Sequence, residues 1–214
     1  MQKTFAVVGK TLTDYRDEMF GLMLCNLCWL VAQVLIIPGP PATAALFYVT
    51  NRVAHGHFAR LSEFWQAFKR FFLVSCKWGA LNLLVILVFG NAFLFYGSGK
   101  LLGSFGFVLA LMNLVLLAMW FFTQLFAFPF WLEQSDKRIG QALRNALVLQ
   151  ANNVGLVMIV LVLVVVMLAL TVIFPVLLGM ITAAFLTLLG NEVVVARVET
   201  WRNEQELADE MNRD

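Results

Sequence analysis

Long apolar runs separated by short polar stretches dominate this chain. A membrane-spanning helix needs about 20 mostly apolar residues, and five runs qualify: residues 19–37, 72–95, 101–132, 154–174 and 175–196. The third is too long for one untilted span and is expected to pass the membrane surface and end near Pro129. The last two form one run, interrupted only by Pro175. As a single helix it would reach about 65 Å at 1.5 Å per residue, about twice the hydrocarbon thickness. A tight hairpin at Phe174-Pro175 is therefore expected.

The first run carries the most informative feature. An apolar helix beginning before Asn26 meets Pro38-Gly39-Pro40-Pro41 and restarts at once as a helix of small residues. Each proline removes an N–H and clashes with the preceding turn. Inside a bilayer such a break is tolerated only where protein or water satisfies the freed carbonyls. Asn26 and Gln33, seven residues apart, share the helix face that leads into the break and are expected to satisfy the backbone beyond it. With Trp29 before the break and Thr43 after it, they make up the candidate functional motif: Asn26, Trp29, Gln33, Pro38, Gly39, Pro40, Pro41 and Thr43.

Three further stretches have helical apolar spacing beside charge. In residues 62–72, Phe64, Phe68, Phe71 and Phe72 fall on one face, with Ser62 placed as the N-cap. Phe64, Trp65, Phe68, Lys69 and Arg70 form a candidate docking or lipid-contact face. Ile139, Ala142, Leu143, Ala146 and Leu147 repeat the pattern, and Phe5, Val8, Leu12 and Tyr15 suggest a third interfacial helix. Gln66-Ala67-Phe68-Lys69 and Gln141-Ala142-Leu143-Arg144 align at an offset of 75 residues. Four positions do not establish a repeat against the background of such helices.

Basic residues fix the topology, because Lys and Arg collect in cytoplasmic loops. Of the 15 Lys and Arg residues, all but Lys77 and Lys100 fall on one side in a consistent alternation, and Lys77 can snorkel to that side. The N-terminus and the Arg52–Arg70 segment then share a side, so residues 41–54 must return the chain as a short crossing or as one arm of a re-entrant pair. The expected fold is an all-α, multi-pass transmembrane bundle of about six crossings, one of them short and proline-led, with cytoplasmic interfacial amphipathic helices. Residues 1–18 form an amphipathic cytoplasmic segment, 19–196 the membrane domain and 197–214 a polar tail. Both termini are expected in the cytoplasm of a cell-membrane protein.

Composition agrees with this class. The chain is 61% hydrophobic and 13% charged, against about 45–50% and 25% in soluble domains. A net charge of +2 without a dense basic patch argues against nucleic acid as a partner. Ala42-Thr43-Ala44 mimics a signal-cleavage site, but the acidic Asp14, Asp17 and Glu18 before the first run point to a retained helix.

Candidate chemistry is sparse. Cys25 and Cys28 form C-x-x-C in letters only, and with Cys76 they read as buried small hydrophobes. His55 and His57 have only Glu63 as a further ligand, short of a zinc set, and read as solvated loop residues. Phosphate-loop, metalloprotease and nucleophile-elbow motifs are missing. No cofactor and no enzymatic activity are therefore expected. Ionisable residues within spans are functional candidates by default; here Glu192 and Lys77 read as interfacial groups, and the amides Asn82, Asn91, Asn113, Gln124 and Asn191 as packing links. Gly99 with Gly103, and Gly179 with Ala183, have the spacing for close helix approach, which predicts no particular dimer and leaves homo-oligomerisation open.

Asn26-Leu27-Cys28-Trp29-Leu30, the segment Pro38-Gly39-Pro40-Pro41-Ala42-Thr43-Ala44-Ala45-Leu46-Phe47, and Phe64, Phe68-Lys69 and Phe71 together resemble the YesL family of bacterial membrane proteins. The resemblance is most specific over residues 20–80. Pro40-Pro41-Ala42 stands where the family pattern has Gly-Pro-Ala, which shifts the turn by one residue. The resemblance implies an accessory role in carbohydrate uptake or utilisation, with the lipid bilayer and a sugar ABC transporter or another membrane protein as partners. The alternative is a small transporter or channel with its site at the break.

Overall fold

A computed structural model describes residues 2–98 and 103–211, without the side chains of residues 2–5 and Ala208. Gly99, Lys100, Leu101 and Arg213, and the side chain of Phe5, lie outside the described residues. Among those described, the chain is all-helical: α1 (Gln2–Asp17), α2 (Met19–Val34), α3 (Gly39–Ala54), α4 (Leu61–Arg70), α5 (Phe72–Gly97), α6 (Gly103–Glu133), α7 (Ile139–Asn152), α8 (Val154–Ile173) and α9 (Ala183–Met211), the last preceded by a π-helical turn at Leu178–Thr182. Four helices are long and apolar enough to cross a membrane: Phe72–Gly97, Gly103–Glu133, Val154–Ile173 and Leu178–Met211. The N-terminal residues Ala6–Asp17 and Met19–Val34 pass the same test only as a pair, bent by 87°.

The element order falls into three similar units. Each has a helix with one apolar face (α1, α4, α7) followed by two apolar helices (α2–α3, α5–α6, α8–α9). Ala67 and Ala142, matched by the 75-residue offset, are both buried inward positions of their helices. The centre of the bundle is built from α3 and the inner part of α9. Ala42, Ala44, Ala45, Leu46 and Val49 meet Leu188, Leu189 and Val194, all without exposure. The small residues of α3 let the neighbouring backbones approach, as membrane packing requires. The outward faces of α5, α6 and α8 present Leu84, Leu87, Val108, Met112, Val165 and Val172, an apolar surface suited to acyl chains.

Four local expectations change. Ser62 does not cap α4: Arg60 holds the N-cap position in extended backbone, and no side chain caps that helix. The third run does not end at Pro129, because α6 continues through it to Glu133. Proline removes the N–H that would meet the carbonyl four residues back, here Leu125. Helix α9 passes close to that carbonyl; a Cβ at Gly190 would lie 2.3 Å from Leu125 O. Only glycine fits there, and the contact shelters the orphan oxygen. The last helix does not stop at Ala196 either. It runs on to Met211, with Trp201 stacked on Phe130 at 6.1 Å between centroids and Arg197 over the Trp201 ring. Finally, the N-terminal arm of the broken run is shorter than expected, since α2 stops at Val34 and α3 begins at Gly39.

Candidate functional site

At the break the backbone closes on itself. Ile36 N donates to Gln33 O at 3.1 Å, Gly39 N to Ile36 O at 3.0 Å and Ala42 N to Pro38 O at 2.9 Å. Pro40 and Pro41 stand in the first turn of α3, where a missing N–H costs no helix bond. Ile36 has φ +62°, a left-handed conformation that is a genuine outlier for a β-branched residue.

Side chains of α2 then buckle onto α3. Gln33 Nε2 donates to Gly39 O at 3.2 Å and to Thr43 Oγ1 at 2.9 Å. Thr43 Oγ1 itself donates to Gly39 O at 3.0 Å and accepts from Trp29 Nε1 at 3.0 Å. A Cβ at Gly39 would stand 2.7 Å from Gln33 Oε1, so the glycine makes room for the amide. Trp29, Gln33, Gly39 and Thr43 thus form one hydrogen-bonded set.

Asn26 does not join them. Fully buried, its Nδ2 donates to Leu178 O at 2.8 Å and Gly179 O at 2.7 Å, and its Oδ1 accepts from Ala184 N at 2.8 Å. Asn26 therefore serves a different interruption, the π-helical turn at Leu178–Thr182. A π-turn displaces backbone carbonyls from their helical partners, and the asparagine supplies both a donor and an acceptor across it.

Beside the proline break lies a cavity of about 430 Å³. Its aromatic walls are Trp29, Phe47, Trp78, Phe121 and Phe128, and its polar groups are Gln33, Thr43, Ser75, Asn82 and Gln124. Trp78 Nε1 donates to Gln124 Oε1 at 2.7 Å, and Trp120 Nε1 to Asn82 Oδ1 at 2.8 Å. Ser75 Oγ and Gln124 Nε2 are buried without a partner. A second cavity of about 350 Å³ shares Trp29, Thr43, Phe47, Phe121 and Gln124 and extends toward Leu168 and Leu178. No charged residue lines either one. Sequence reasoning placed Asn82 and Gln124 among packing amides. Ser75 and Trp78 carried no signal, because only the packing of α5 on α3 brings them to the break. Gly79 permits that packing, since a Cβ there would lie 2.6 Å from Pro40 Cγ.

A separate polar layer joins α1, α3, α6 and α9. Lys10 Nζ bonds both oxygens of Glu192 at 2.8 and 2.7 Å and Ala54 O at 2.8 Å, with Asp14 at 3.3 Å. Burial opposes the Lys10 charge, but hydrogen bonding to Glu192 and the attraction of Glu192 and Asp14 outweigh it and raise its pKa. Glu192 is thus paired, at 2% exposure. Asn51 Nδ2 reaches Glu133 Oε1 and Asn191 Oδ1 at 2.8 and 3.1 Å, and His55 Nε2 lies 2.9 Å from Glu133 Oε1. His55 is therefore tied down by Glu133, whereas His57 is exposed. Among the described residues, no cluster of three or more His, Cys, Asp or Glu could hold a metal, and the three cysteines are free.

The candidate docking face divides. Phe64 is fully buried and belongs to the core, because the apolar face of α4 turns inward against α3. Phe68 is half-buried, while Trp65, Lys69 and Arg70 are exposed.

No curated protein and no solved structure matches the chain. Residues 22–93 match the model of DUF624, described as a protein of unknown function. The match covers most of α2, the break, α3, α4 and most of α5, and so includes the whole lining of the first cavity except Phe121, Gln124 and Phe128 of α6. The chain carries a DUF624 domain built around its broken helix.

Proposed function

We propose that this chain is a multi-pass protein of the cell membrane, with about six crossings and both termini in the cytoplasm, whose working site is the cavity at Pro38–Pro41. There it holds a small uncharged molecule within the bilayer and transfers it, as a small transporter. One observation carries this reading: the break coincides with an aromatic, amide-lined cavity of about 430 Å³ that no charged residue lines. Discontinuous helices form substrate sites in transporters. The uncharged lining speaks against an ion path. Proteoliposome assays of uncharged solutes and of neutral-lipid exchange between leaflets test it. Transfer that falls on Gln124→Leu is expected; no transfer of any uncharged compound would dismiss it.

A second reading is an accessory role in carbohydrate uptake beside a sugar ABC transporter. The resemblance to the YesL family favours it, together with the exposed Trp65, Lys69 and Arg70 on α4. The 87° bend between α1 and α2 is compatible with α1 lying along the membrane surface, where it would suit docking of a neighbour. Co-purification after mild detergent extraction should recover an importer subunit. Recovery of the protein alone, with unimpaired growth of a deletion strain on every sugar, would remove this reading.

A further inference from the structure

A third cavity, of about 360 Å³, shares no residue with the two at the proline break. It lies where α1, the start of α8 and the outer part of α9 meet, and its walls include Val7, Asn153, Leu156, Val193, Arg197 and Thr200. Helix α8 is long and apolar enough to span a membrane, so its first residues, and the cavity with them, belong at a membrane surface.

Arg197 is the one charged residue in this lining. Among the described residues it forms no ion pair. Its guanidinium carbon stands 5.0 Å from the centre of the Trp201 ring, and Trp201 is itself stacked on Phe130. A ring, not a carboxylate, therefore holds the arginine in place. Its Nε is covered, and the outer edge of the guanidinium is what remains for a ligand. A stacked guanidinium keeps its in-plane N–H groups for an oxyanion. The adjoining cavity shares Val7 and Ala196 with this one and shows the contrast. There Lys10 is paired with Glu192 and Asp14, so that cation has its countercharge within the fold. Arg197 is half-buried beside apolar walls without one, and such a charge calls for an anion.

Other donors surround the same space, and no carboxylate lines it to repel an anion. Thr200 Oγ1 donates to Ala196 O at 2.8 Å. That carbonyl also accepts the helix bond from Thr200 N, so the hydroxyl can turn to a ligand without stranding it. No side chain caps α8, because Asn153 Nδ2 turns back to Leu149 O at 3.1 Å. The N–H groups of its first turn lack helical partners and add the positive end of the helix dipole. The guanidinium edge alone would satisfy a flat carboxylate. Donors on two helices suit a group whose oxygens point in three dimensions, which is a phosphate ester.

We infer that this cavity binds a phosphate ester at the membrane surface, with Arg197 as its countercharge and Thr200 and the first turn of α8 as further donors. The site is independent of the reading of the proline break.

The full chain, in a phosphate-free detergent, is titrated under native mass spectrometry with phosphatidic acid, with diacylglycerol of the same acyl chains, and with glycerol 3-phosphate. Saturable binding of one phosphate ester per chain, and none of diacylglycerol, is expected. Phosphatidic acid alone would identify a lipid headgroup as the source, and glycerol 3-phosphate as well a soluble ester; either upholds the site. Arg197→Gln should raise the half-saturating concentration by about 10–100-fold, the loss of a charged hydrogen-bonding group, and Arg197→Lys should recover part of it. Thr200→Val should raise it by a few-fold, up to about tenfold, and gives a second test if Arg197→Gln does not fold by circular dichroism. Arg202→Gln removes the same charge from an exposed position of α9 and should change nothing. An equal loss on Arg202→Gln would mean diffuse attraction to a basic surface and overturn the inference. Binding that Arg197→Gln leaves intact, diacylglycerol bound as tightly, or no saturable binding of either ester would overturn it as well.

Discussion

Helix α2 faces two interrupted helices and treats them differently. Through Gln33 it holds the proline break before α3; through Asn26 it holds the π-helical turn before α9. At the second, Asn26 makes three hydrogen bonds, Thr182 Oγ1 donates to Leu177 O at 3.1 Å, and Leu30 packs 3.3 Å from where a Cβ of Gly179 would be. Its polar groups are spent. At the first, the hydrogen-bonded set closes the backbone but leaves a cavity beside it and a residue in left-handed backbone. Interruption of a helix is common to both. Empty space borders both, since the second cavity reaches Leu178 and Thr182; a residue held in left-handed backbone belongs to the first.

The largest effect should come from Asn26→Leu. It removes three hydrogen bonds and strands two carbonyls and an N–H among apolar side chains. Interhelical polar contacts in membranes are worth about 0.6–1.7 kcal/mol each, so a loss of about 2–5 kcal/mol is expected. Thermal unfolding in detergent measures it. A loss no greater than that of Gln33→Leu would erase the distinction between the breaks.

Gln33→Leu should cost about 1–2 kcal/mol: its two hydrogen bonds to α3 are lost, but Gly39 O keeps its bond from Thr43 and Thr43 Oγ1 its bond from Trp29. Its consequence should appear in transfer, because Gln33 lines the cavity. A variant that unfolds like Asn26→Leu while leaving the site's activity intact would make the proline break structural as well.

The sequence exposes these two breaks unequally, for physical reasons. Pro38, Pro40 and Pro41 announce the first, since proline acts on its own helix. Nothing local announces Leu178–Thr182, because a π-turn is set by how neighbouring side chains pull on the backbone. Asn26 and Gln33 were visible as amides on one face, but the period of a helix does not say which neighbour each will meet. Pro129 misled in the opposite direction. Its freed Leu125 carbonyl is sheltered by Gly190, some 60 residues away, so α6 survives a residue that usually ends helices. The long apolar runs of α5, α6 and α8 were plain, because those helices face outward. The cavity was partly legible: its α2–α3 side lies within one broken run, whereas Ser75, Trp78 and Gln124 arrive from helices whose register only packing decides.

Ile36→Gly gives the smallest and sharpest contrast. Left-handed backbone in a non-glycine residue costs about 1–3 kcal/mol, and glycine removes that strain while costing about 0.5–1 kcal/mol through the unfolded chain. Ile36 is 80% exposed, so little packing is lost with its side chain. The variant should therefore be more stable than the parent by about 1 kcal/mol, seen as a rise in melting temperature. If the strain serves the proposed transfer site, the same substitution should weaken solute transfer while raising stability. Asn26 offers no such trade, because its break contains no strained residue to relax. A melting temperature that falls on Ile36→Gly would place the proline break beside the π-turn, as a joint whose every feature serves the fold.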